Sequence, residues 1–558
     1  MVRRPERGAG GRVRQMGVPC ASIGPRRHLT GVSVLWTTLA VLLVLLTAAI
    51  VSLRSRVPAL IERRLGGYRR RVVRPDPDRP MAVQRPPTVA VIGGGLAGIA
   101  AAEALASGGA RVTLFEADDH LGGKAGAPMR PGPDGRLVPV DHGFHAIFGH
   151  YYNLRALLAR AGVDTLRPIG DYQILTRDGR RLGFRDVAKV PVLNLLSLWR
   201  QGLFSFREVG LGRRGKHMEA FLRYDAEATF ARWDDTSYDT FAERAGLPDD
   251  LKLVFESFAR AFFASGDRLS AAALMQSFHF YFLSHDHGLL YDFADGDAEQ
   301  SLIAPLRQRL EDLGATICTS SPVASIAPDD SAYRVADQRF DRVVLATPAM
   351  VARQILNASE ALLVAHPELR GAMSGVRRSQ RYTVLRVWLD RPIPFDGPAF
   401  VATEGAPMLD AVAFPARYAV DCRDVADQGG DVLELHCYAV PDDIQGDTIQ
   451  GQLLQEAAHY LPALHNATVT HADLMVKDDF AAFHVGCDQG RPETRTAAPG
   501  LYLAGDWVKL PVPAMLMEGA VTSGLYAANA ILEAAGARQT PVDSVPLRGL
   551  MAGMRGGI

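Results

Sequence analysis

The stretch from Val89 to Glu116, VAVIGGGLAGIAAAEALASGGARVTLFE, constrains the fold of this chain more than any other. A short apolar run typical of a buried parallel strand precedes Gly93, Gly95 and Gly98, and an alanine-rich helical stretch follows them. In this G-x-G-x-x-G spacing, the first glycine permits a tight turn, the second lets the backbone approach a pyrophosphate, and the third lets helix and strand pack closely. The sequence therefore predicts a Rossmann-like dinucleotide-binding domain whose first helix points its N-terminus at the phosphates.

The residues after the second strand indicate which dinucleotide binds. Glu116 is placed where a carboxylate binds ribose hydroxyls. An acidic side chain there disfavours the 2′-phosphate of NADP. Gly122, Gly123 and Lys124 follow within ADDHLGGKAG, which resembles the second glycine motif of FAD-dependent amine oxidases and carotenoid desaturases. In those enzymes, a basic side chain and backbone amides at this motif contact the FAD diphosphate. The resemblance implies that the cofactor is FAD.

The C-terminal part of the chain is expected to return to the flavin. Residues 500–532 begin with a strand, pass through a Gly-Asp pair and enter a helix. In the resembling flavoproteins the pair holds the ribityl and diphosphate groups. The helix N-terminus there faces the pyrimidine end of the flavin, where backbone N–H groups stabilise negative charge. A valine in TSSPVASI resembles the one that contacts the adenine. The residues implied in these roles are Val323, Gly505, Asp506, Met517, Gly519 and Ala520.

Four further segments carry a narrower resemblance: DHGFHAIFGHYYNLRALLARAG, LRYD, SFARAFFASGDRLSAAALMQSFHFYFLSHDHGLLYDF and YLAGDW followed by MEGAVTSG. They are similar to the carotenoid desaturase branch of the flavin amine-oxidase superfamily. Within it they are most like the β-carotene desaturase/methyltransferases that aromatise carotenoid rings (isorenieratene and chlorobactene synthases). The resemblance spans residues 88–535. It implies an α/β fold in which a Rossmann-like FAD-binding domain accompanies an α+β substrate domain.

The same resemblance implies hydride removal from an apolar polyene by flavin N5, with methyl migration within the ring in the ring-aromatising members. The partners implied are a carotenoid or another apolar lipid and an electron acceptor, either a quinone or oxygen. Gly143 and Gly149 are predicted to let the backbone approach the flavin, and His145 is predicted to face the ring or substrate. His142 and His150 are predicted to be structural or solvent-facing. Groups predicted near the flavin, with no base assigned among them, are Asp141, His145, Tyr151, Lys509 and Glu518.

Two of those nominations have simpler explanations, because Lys509 also suits an exposed turn and Glu518 a helix cap. The aromatic residues between Phe255 and Phe282 suit either a packed core or a long apolar tunnel. The stretch at residues 190–206 suits either a buried helix or a patch that touches the membrane. The histidines His279, His285 and His287 lack a metal-binding spacing, and we expect no metal site.

The uncharged residues 31–53 are long enough to cross a bilayer core of about 30 Å and are predicted to form a transmembrane helix, with a cleaved signal peptide as the alternative. Arginines are more numerous after this span than before it, which favours a membrane-anchored protein with a cytoplasmic catalytic domain.

The predicted organisation is a basic segment at 1–30, the span at 31–53, an Arg/Pro-rich linker at 54–87, FAD-binding pieces at 88–150, 301–350 and 486–536, a helical substrate lobe at 151–300, a substrate domain with an antiparallel sheet at 351–485, and a tail at 537–558.

Composition narrows the range of functions. Basic and acidic side chains number 61 each, which gives no support to nucleic-acid binding. The five cysteines are scattered without a C-x-x-C pair and fit free thiols.

An amine oxidase of the same fold is a competing hypothesis, but such enzymes place aromatic residues before the final helix, where this chain has Met515, Leu516 and Met517. A non-catalytic FAD-bound scaffold of a pigment pathway is a second competing hypothesis, and an enzyme acting on a sterol or squalene-type lipid is a third.

Overall fold

The computed structural model describes residues 56–202, 213–247 and 260–554, together with Lys252, Phe255 and Glu256. Contacts divide the chain into Met1–Leu60 and Ile61–Ile558, and the elements described belong to the second unit. The predicted membrane helix at residues 31–53 lies outside the described residues. Within the described residues, no helix combines the length and apolar character needed to cross a membrane.

Strands are numbered along the chain. They are β1 (Arg70–Val73), β2 (Thr88–Ile92), β3 (Arg111–Phe115), β4 (Met129–Pro131), β5 (Leu137–Pro139), β6 (Ile147–Phe148), β7 (Leu166–Pro168), β8 (Gln173–Thr176), β9 (Arg181–Gly183), β10 (Tyr291–Ala294), β11 (Thr316–Cys318), β12 (Ala327–Asp329), β13 (Ala332–Val335), β14 (Gln338–Phe340), β15 (Arg342–Leu345), β16 (Tyr382–Leu389), β17 (Phe400–Glu404), β18 (Ala411–Ala413), β19 (Asp431–Cys437), β20 (Val469–Lys477), β21 (Leu501–Leu503) and β22 (Val542–Ser544).

Helices are numbered in the same way. They are α1 (Leu96–Ser107), α2 (Tyr152–Arg160), α3 (Leu193–Arg200), α4 (Arg213–Leu222), α5 (Ala226–Trp233), α6 (Tyr238–Ala245), α7 (Ala271–Phe278), α8 (Ala304–Asp312), α9 (Ala349–Ala358), α10 (Glu360–Ala365), α11 (Leu369–Ala372), α12 (Val420–Asp427), α13 (Gly446–Tyr460) and α14 (Leu516–Ala534). A π-helical turn, His279–Leu283, extends α7.

A five-stranded parallel sheet in the order β11-β3-β2-β15-β21 forms the centre of the first layer. Strand β2 reads as a continuous apolar run because it is covered on both faces, as parallel strands usually are. Helices α1 and α14 pack against each other beside this sheet, and a Cβ at Gly524 would lie only 2.1 Å from the carbonyl oxygen of Ala97. Because the five strands are parallel, their carboxyl ends lie at one edge of the sheet, and the loops that follow them meet there.

A seven-stranded sheet in the order β20-β16-β19-β18-β17-β8-β9 forms the second layer. Its pairs are antiparallel except β17 with β8, so the predicted antiparallel sheet contains one parallel pair. Strands β16 and β19 are buried along their whole length. One face packs on α13 through Ile449, Leu453 and Ala457. Strands β8 and β9 come from the region predicted to be a helical lobe, which thus contributes to both sheet and helices.

The predicted linker and the predicted tail each contribute one strand to a two-stranded antiparallel sheet. Strand β1 pairs with β22, and Asp543 accepts hydrogen bonds at 2.6 Å from the guanidinium groups of Arg69 and Arg71. On the inner side, the Asn153 side chain donates to the Asp543 carbonyl at 2.8 Å and to Glu518 at 2.8 Å. The two ends of this unit are therefore joined to each other and to the start of α14.

Candidate active site

A cavity of about 640 Å³ is lined by residues of both sheets. The edge of the parallel sheet contributes the loops after β2, β3, β15 and β21, whereas β16 to β19 of the second sheet contribute Val384, Phe400, Ala411 and His436. Such a position beyond the carboxyl ends of parallel strands is where open α/β sheets bind their ligands. The residues predicted from the sequence that line it are Gly93, Gly95, Glu116, Gly122, Gly123, Lys124, Gly143, His145, Tyr151, Val323, Gly505, Asp506, Met517 and Ala520.

The glycine loop after β2 shows why each glycine is needed. A Cβ at Gly93, whose φ is +107°, would lie 2.7 Å from the carbonyl oxygen of Ala346. A Cβ at Gly98 would lie 1.9 Å from the carbonyl oxygen of Gly93, so the helix packs directly on the loop. At Gly95, by contrast, a Cβ would approach no other backbone closer than 4.0 Å, and the position faces the cavity. The loop thus leaves its second glycine open for a phosphate at the N-terminus of α1.

Glu116 is fixed in place at the end of β3. Its carboxylate accepts hydrogen bonds from the Gly94 N–H at 2.6 Å and from the Asp118 N–H at 2.9 Å. The side chain lines the cavity beside Val323. This geometry fits a carboxylate that receives ribose hydroxyls, as the sequence predicts.

Lys124 projects into the cavity from the second glycine motif. Its Nζ lies 4.0 Å from the centroid of the Phe480 ring and 3.8 Å from Asp506 Oδ2. Gly122 and Gly123 have φ angles of +101° and +54°, and they place this loop against Gly95, whose Cα lies 3.3 Å from the Cβ position of Gly123. One cation and the backbone of two glycine motifs therefore line the same cavity, which fits a diphosphate.

We expect Lys124→Ala to weaken FAD affinity roughly tenfold, or ~1.4 kcal/mol, because a charge-assisted contact is lost. Fluorescence titration of the apoprotein with FAD measures the change. The matched control is Lys509→Ala, because Lys509 lies outside the cavity and pairs with Asp488 at 2.5 Å on the surface. An equal loss of affinity in both variants would contradict the assignment of Lys124.

The N-terminus of α14 closes the other side of the cavity. Met517 and Ala520 line it, as does Leu516, whose φ of +49° is strained for a leucine. Met515, at the cap position, makes no side-chain hydrogen bond to the helix. Gly519 lies behind this surface and donates its N–H to the Met515 carbonyl. The free N–H groups of the first turn thus remain available to stabilise negative charge, such as develops on a flavin ring when it is reduced.

Taken together, these residues fit FAD. The glycine loop and Lys124 suit the diphosphate, Glu116 suits the ribose, and the N-terminus of α14 suits the flavin. Gly505, with a φ of +144°, sits between them, and its N–H donates to Ser523 Oγ at 2.7 Å.

Three of the predicted catalytic groups do not face the cavity. Lys509 is the surface residue described above. Glu518 is buried and accepts the N–H groups of Asn153 and Leu154, both at 2.9 Å, so it caps α2 and not its own helix. Burial raises the pKa of Glu518 to about 8 against these donors. Asp141 accepts the Ala298 N–H at 3.0 Å behind the cavity wall, and burial raises its pKa to about 7.

The histidines of DHGFHAIFGHYYN separate into two groups. His145 lines the cavity and donates Nε2–H to the Lys124 carbonyl over 3.1 Å, and burial lowers its pKa. The expectation that His142 is structural or solvent-facing is incomplete, since it also lines the cavity, 2.8 Å from the Tyr382 hydroxyl. His150 instead stacks on His285 at 3.9 Å, away from the cavity.

Gly143 lines the cavity and has a φ of +126°. The prediction for Gly149 is wrong, because it lies outside the cavity and packs against His287. His279 stacks on Tyr224. Tyr151 lines the cavity and shares a hydrogen bond of 2.8 Å with the Tyr281 hydroxyl.

Beyond the flavin end, the cavity continues as a chamber walled by aromatic rings. Phe144 stacks on Phe400 at 4.7 Å and meets Tyr291 edge-on at 5.9 Å. We call this part of the cavity the aromatic chamber, and further rings that line it include Phe148, Tyr172, Tyr281 and Tyr438. These rings offer a large apolar contact area that suits a hydrocarbon.

Two polar side chains of the aromatic chamber were not singled out from the sequence. Asp410 is held by Arg260 Nε at 2.8 Å and by the Tyr438 N–H at 2.6 Å. His436 lies on β19, where Glu434, two residues earlier, forms a buried ion pair with Arg386 at 2.6 Å. The alternation DVLELHC marks a strand but does not reveal that charged residues point inward.

Comparison with known proteins agrees with this geometry. The family of flavin containing amine oxidoreductases matches residues 96–532. A carotenoid phi-ring synthase from Streptomyces griseus is 34% identical over 479 residues, covering 84% of this chain and 92% of that protein. Another from Chlorobaculum tepidum is 28% identical, with the same coverage. The solved structure of putrescine oxidase bound to putrescine has a TM-score of 0.58 at 15% identity, covering 80% of this chain and 99% of that one.

The chain therefore belongs to the flavin-containing amine oxidoreductase family, within its carotenoid desaturase branch. It is an FAD-dependent oxidoreductase.

Proposed function

We propose that the protein aromatises the end ring of a carotenoid, by desaturation combined with migration of one methyl group. The observation that carries this proposal is the aromatic chamber, which is continuous with the flavin end of the cavity and can receive an apolar ring. The names of the two phi-ring synthase relatives support the same substrate class.

Bound FAD would supply a hydride acceptor, and the chain supplies position and a dry environment. The stacked rings of Phe144 and Phe400 fix the orientation of a flat end ring, and the buried walls exclude water. Positive charge that develops on the ring is stabilised by the faces of the surrounding aromatic rings. The fixed carboxylate of Asp410, which also lines the chamber, adds an attraction for that charge.

The test is expression of the full chain in a carotene-producing bacterial host, followed by pigment chromatography and mass measurement. We expect a product with an aromatic end ring, four hydrogens lighter than its cyclic precursor for each ring converted. A linear, further desaturated product would replace ring aromatisation with chain desaturation. An unchanged pigment profile, despite full FAD content, would contradict a carotenoid substrate and favour the scaffold hypothesis.

An amine substrate is the second candidate, since putrescine oxidase shares the fold. Leu516 and Met517 line the cavity at the start of α14, where the amine oxidases place an aromatic cage. Their apolar, non-aromatic side chains favour a hydrocarbon. Anaerobic mixing with primary and secondary amines is expected to leave the flavin absorbance near 450 nm unchanged, and bleaching by amines alone would reverse this choice.

We also propose that residues 31–53 anchor the protein in the membrane with its catalytic unit in the cytoplasm, where an apolar substrate and a quinone or oxygen as electron acceptor are accessible. The uncharged span and the arginines after it support this proposal. Carbonate extraction of membranes should leave the full chain in the pellet and release a version that lacks residues 1–54. Recovery of both in the supernatant would refute the anchor.

A further inference from the structure

A row of buried charged groups lies directly behind the aromatic chamber. Arg386 donates Nε–H and Nη2–H to Glu434 Oε1 at 2.9 and 2.6 Å, and Nη1–H to the Pro139 carbonyl at 2.9 Å. The second oxygen of Glu434, Oε2, has no hydrogen-bond partner and lies 3.7 Å from His436 Nε2. Although burial raises the pKa of Glu434, Arg386 and His436 outweigh burial and lower it to about 2.

His436 connects this row with the chamber. Its Nε2 is buried and also lacks a hydrogen-bond partner. The Nδ1–Cε1 edge of the ring faces Gly143, with Cε1 and Nδ1 at 3.2 and 3.5 Å from the Cβ position of that glycine. The ring itself lines the cavity, 5.7 Å from the centroid of the Phe400 ring. The imidazole therefore has its Nε2 beside a carboxylate, while Nδ1 lies next to Gly143, a residue that also lines the cavity.

The proposed reaction requires such a group. Conversion of a ring with two methyl groups on one carbon into an aromatic ring removes four hydrogens, two as hydrides and two as protons. After the second hydride has left, one methyl group moves with its bonding pair to the neighbouring, electron-deficient carbon. That carbon then loses its own hydrogen as a proton, and the C–H electron pair completes the aromatic sextet. Bound FAD would accept one hydride at a time and would be reoxidised after each by the quinone or oxygen proposed above. The two protons leave in separate steps and need an acceptor on the protein.

We propose that Nδ1 of His436, a residue oriented and charge-balanced by Glu434 on its Nε2 side, accepts the ring proton that leaves after methyl migration. This inference rests on the proposed ring aromatisation. Arg386 occupies only one oxygen of Glu434, so the other remains free to stabilise the imidazolium that forms. The carboxylate thus plays the part that an aspartate plays beside the histidine of a hydrolase triad.

Neighbouring groups are less suited to this role. Both oxygens of Asp410 are engaged, one by Arg260 and the other by the Tyr438 N–H. His145 donates Nε2–H to the neutral Lys124 carbonyl, which cannot balance the charge of an imidazolium as the Glu434 carboxylate can. Asp141 lies behind Arg386, at 3.9 Å from its Nη2, and does not line the cavity.

The experiment compares His436→Gln and His436→Ala with His459→Gln, a control on the exposed side of α13. FAD content, thermal midpoint and pigment product are measured for each. We expect both His436 variants to keep FAD and to form aromatic product at least about 100-fold more slowly, the usual effect of losing a proton acceptor. Imidazole added to His436→Ala should restore part of the rate, and Glu434→Gln should lose part of it.

The outcomes separate the proposals. Aromatic product at more than half the control rate from His436→Gln overturns the inference, as does loss of FAD from both His436 variants, which would assign the residue to packing. A slow His436→Ala that imidazole does not accelerate also overturns it. If instead the unaltered protein forms no aromatic product, then the proposed function itself has failed.

Discussion

Gly98→Ala should abolish FAD binding. The added Cβ would lie 1.9 Å from the carbonyl oxygen of Gly93 and 3.1 Å from its carbonyl carbon. Both are backbone atoms of the loop that receives the diphosphate, so the loop must move or α1 must separate from it. Overpacking of this kind costs about 1–3 kcal/mol or more. Because the displaced loop is the binding surface, we expect FAD affinity to fall at least about 100-fold (~2.7 kcal/mol). The purified protein should lack flavin absorbance.

The matched control is Gly451→Ala in the middle of α13. A Cβ at Gly451 meets nothing within 4 Å. Alanine there should leave FAD content unchanged and stabilise the helix by about 0.5–1 kcal/mol. If Gly98→Ala were purified with the same flavin content as this control, the close packing of α1 on the loop would not be what positions the cofactor.

Replacement of Arg386 by methionine should have the largest effect on stability. Arg386 and Glu434 are both fully buried, with 1% and 0% of their side-chain surface exposed. Removal of one partner leaves the other charge unpaired in the core, which typically costs about 3–5 kcal/mol. We expect Arg386→Met to unfold at a lower urea concentration than the unaltered protein. The fluorescence of released flavin measures the midpoint of unfolding. A midpoint within experimental error of the unaltered protein would contradict this prediction.

The double variant Arg386→Met/Glu434→Leu is the control, since it removes both charges together. It should recover at least half of the lost stability, because an apolar pair of similar volume often replaces a buried ion pair well. A double variant as unstable as Arg386→Met alone would show that the loss comes from the shape of the site and not from the unpaired charge.

The loss in free energy of unfolding caused by Arg386→Met should also depend on pH. In the unaltered protein the pKa of Glu434 is lowered from its ordinary value of 4.5 to about 2. A depressed carboxyl pKa contributes stability that is complete above the unfolded value and is lost as the pH falls through the folded value. The difference in free energy of unfolding between the unaltered protein and Arg386→Met should therefore shrink as the pH falls from 4.5 towards 2. A difference that stays constant over this window would exclude Glu434 as its source.

The FAD end of the site could be predicted because its requirements are local. Gly93, Gly95 and Gly98 form one turn within six residues, and Glu116 follows at the end of the next strand. Each of these positions is dictated by backbone geometry around a phosphate or a ribose, which sequence spacing expresses directly. Lys124 was found in the same way, since it is adjacent to the second glycine pair.

The substrate end could not be predicted, because it depends on contacts between distant strands. His436 and Glu434 sit in a buried strand whose charged residues would ordinarily be assigned to its solvent face. Only the pairing of β19 with β16 brings Arg386 beside them. Glu518 was misjudged for a similar reason: its partners, Asn153 and Leu154, begin a helix more than 360 residues earlier.

The pairing of β1 with β22 matters for anyone who shortens this chain. An obvious place to begin a soluble version is Thr88, just before the glycine motif, since residues 54–87 read as a linker. That cut would remove Arg69 and Arg71, leave Asp543 without its guanidinium partners and expose the edge of β22. An unpaired strand edge invites aggregation. A version intended for crystallisation should therefore begin upstream of Arg69 and keep the residues through Ser544.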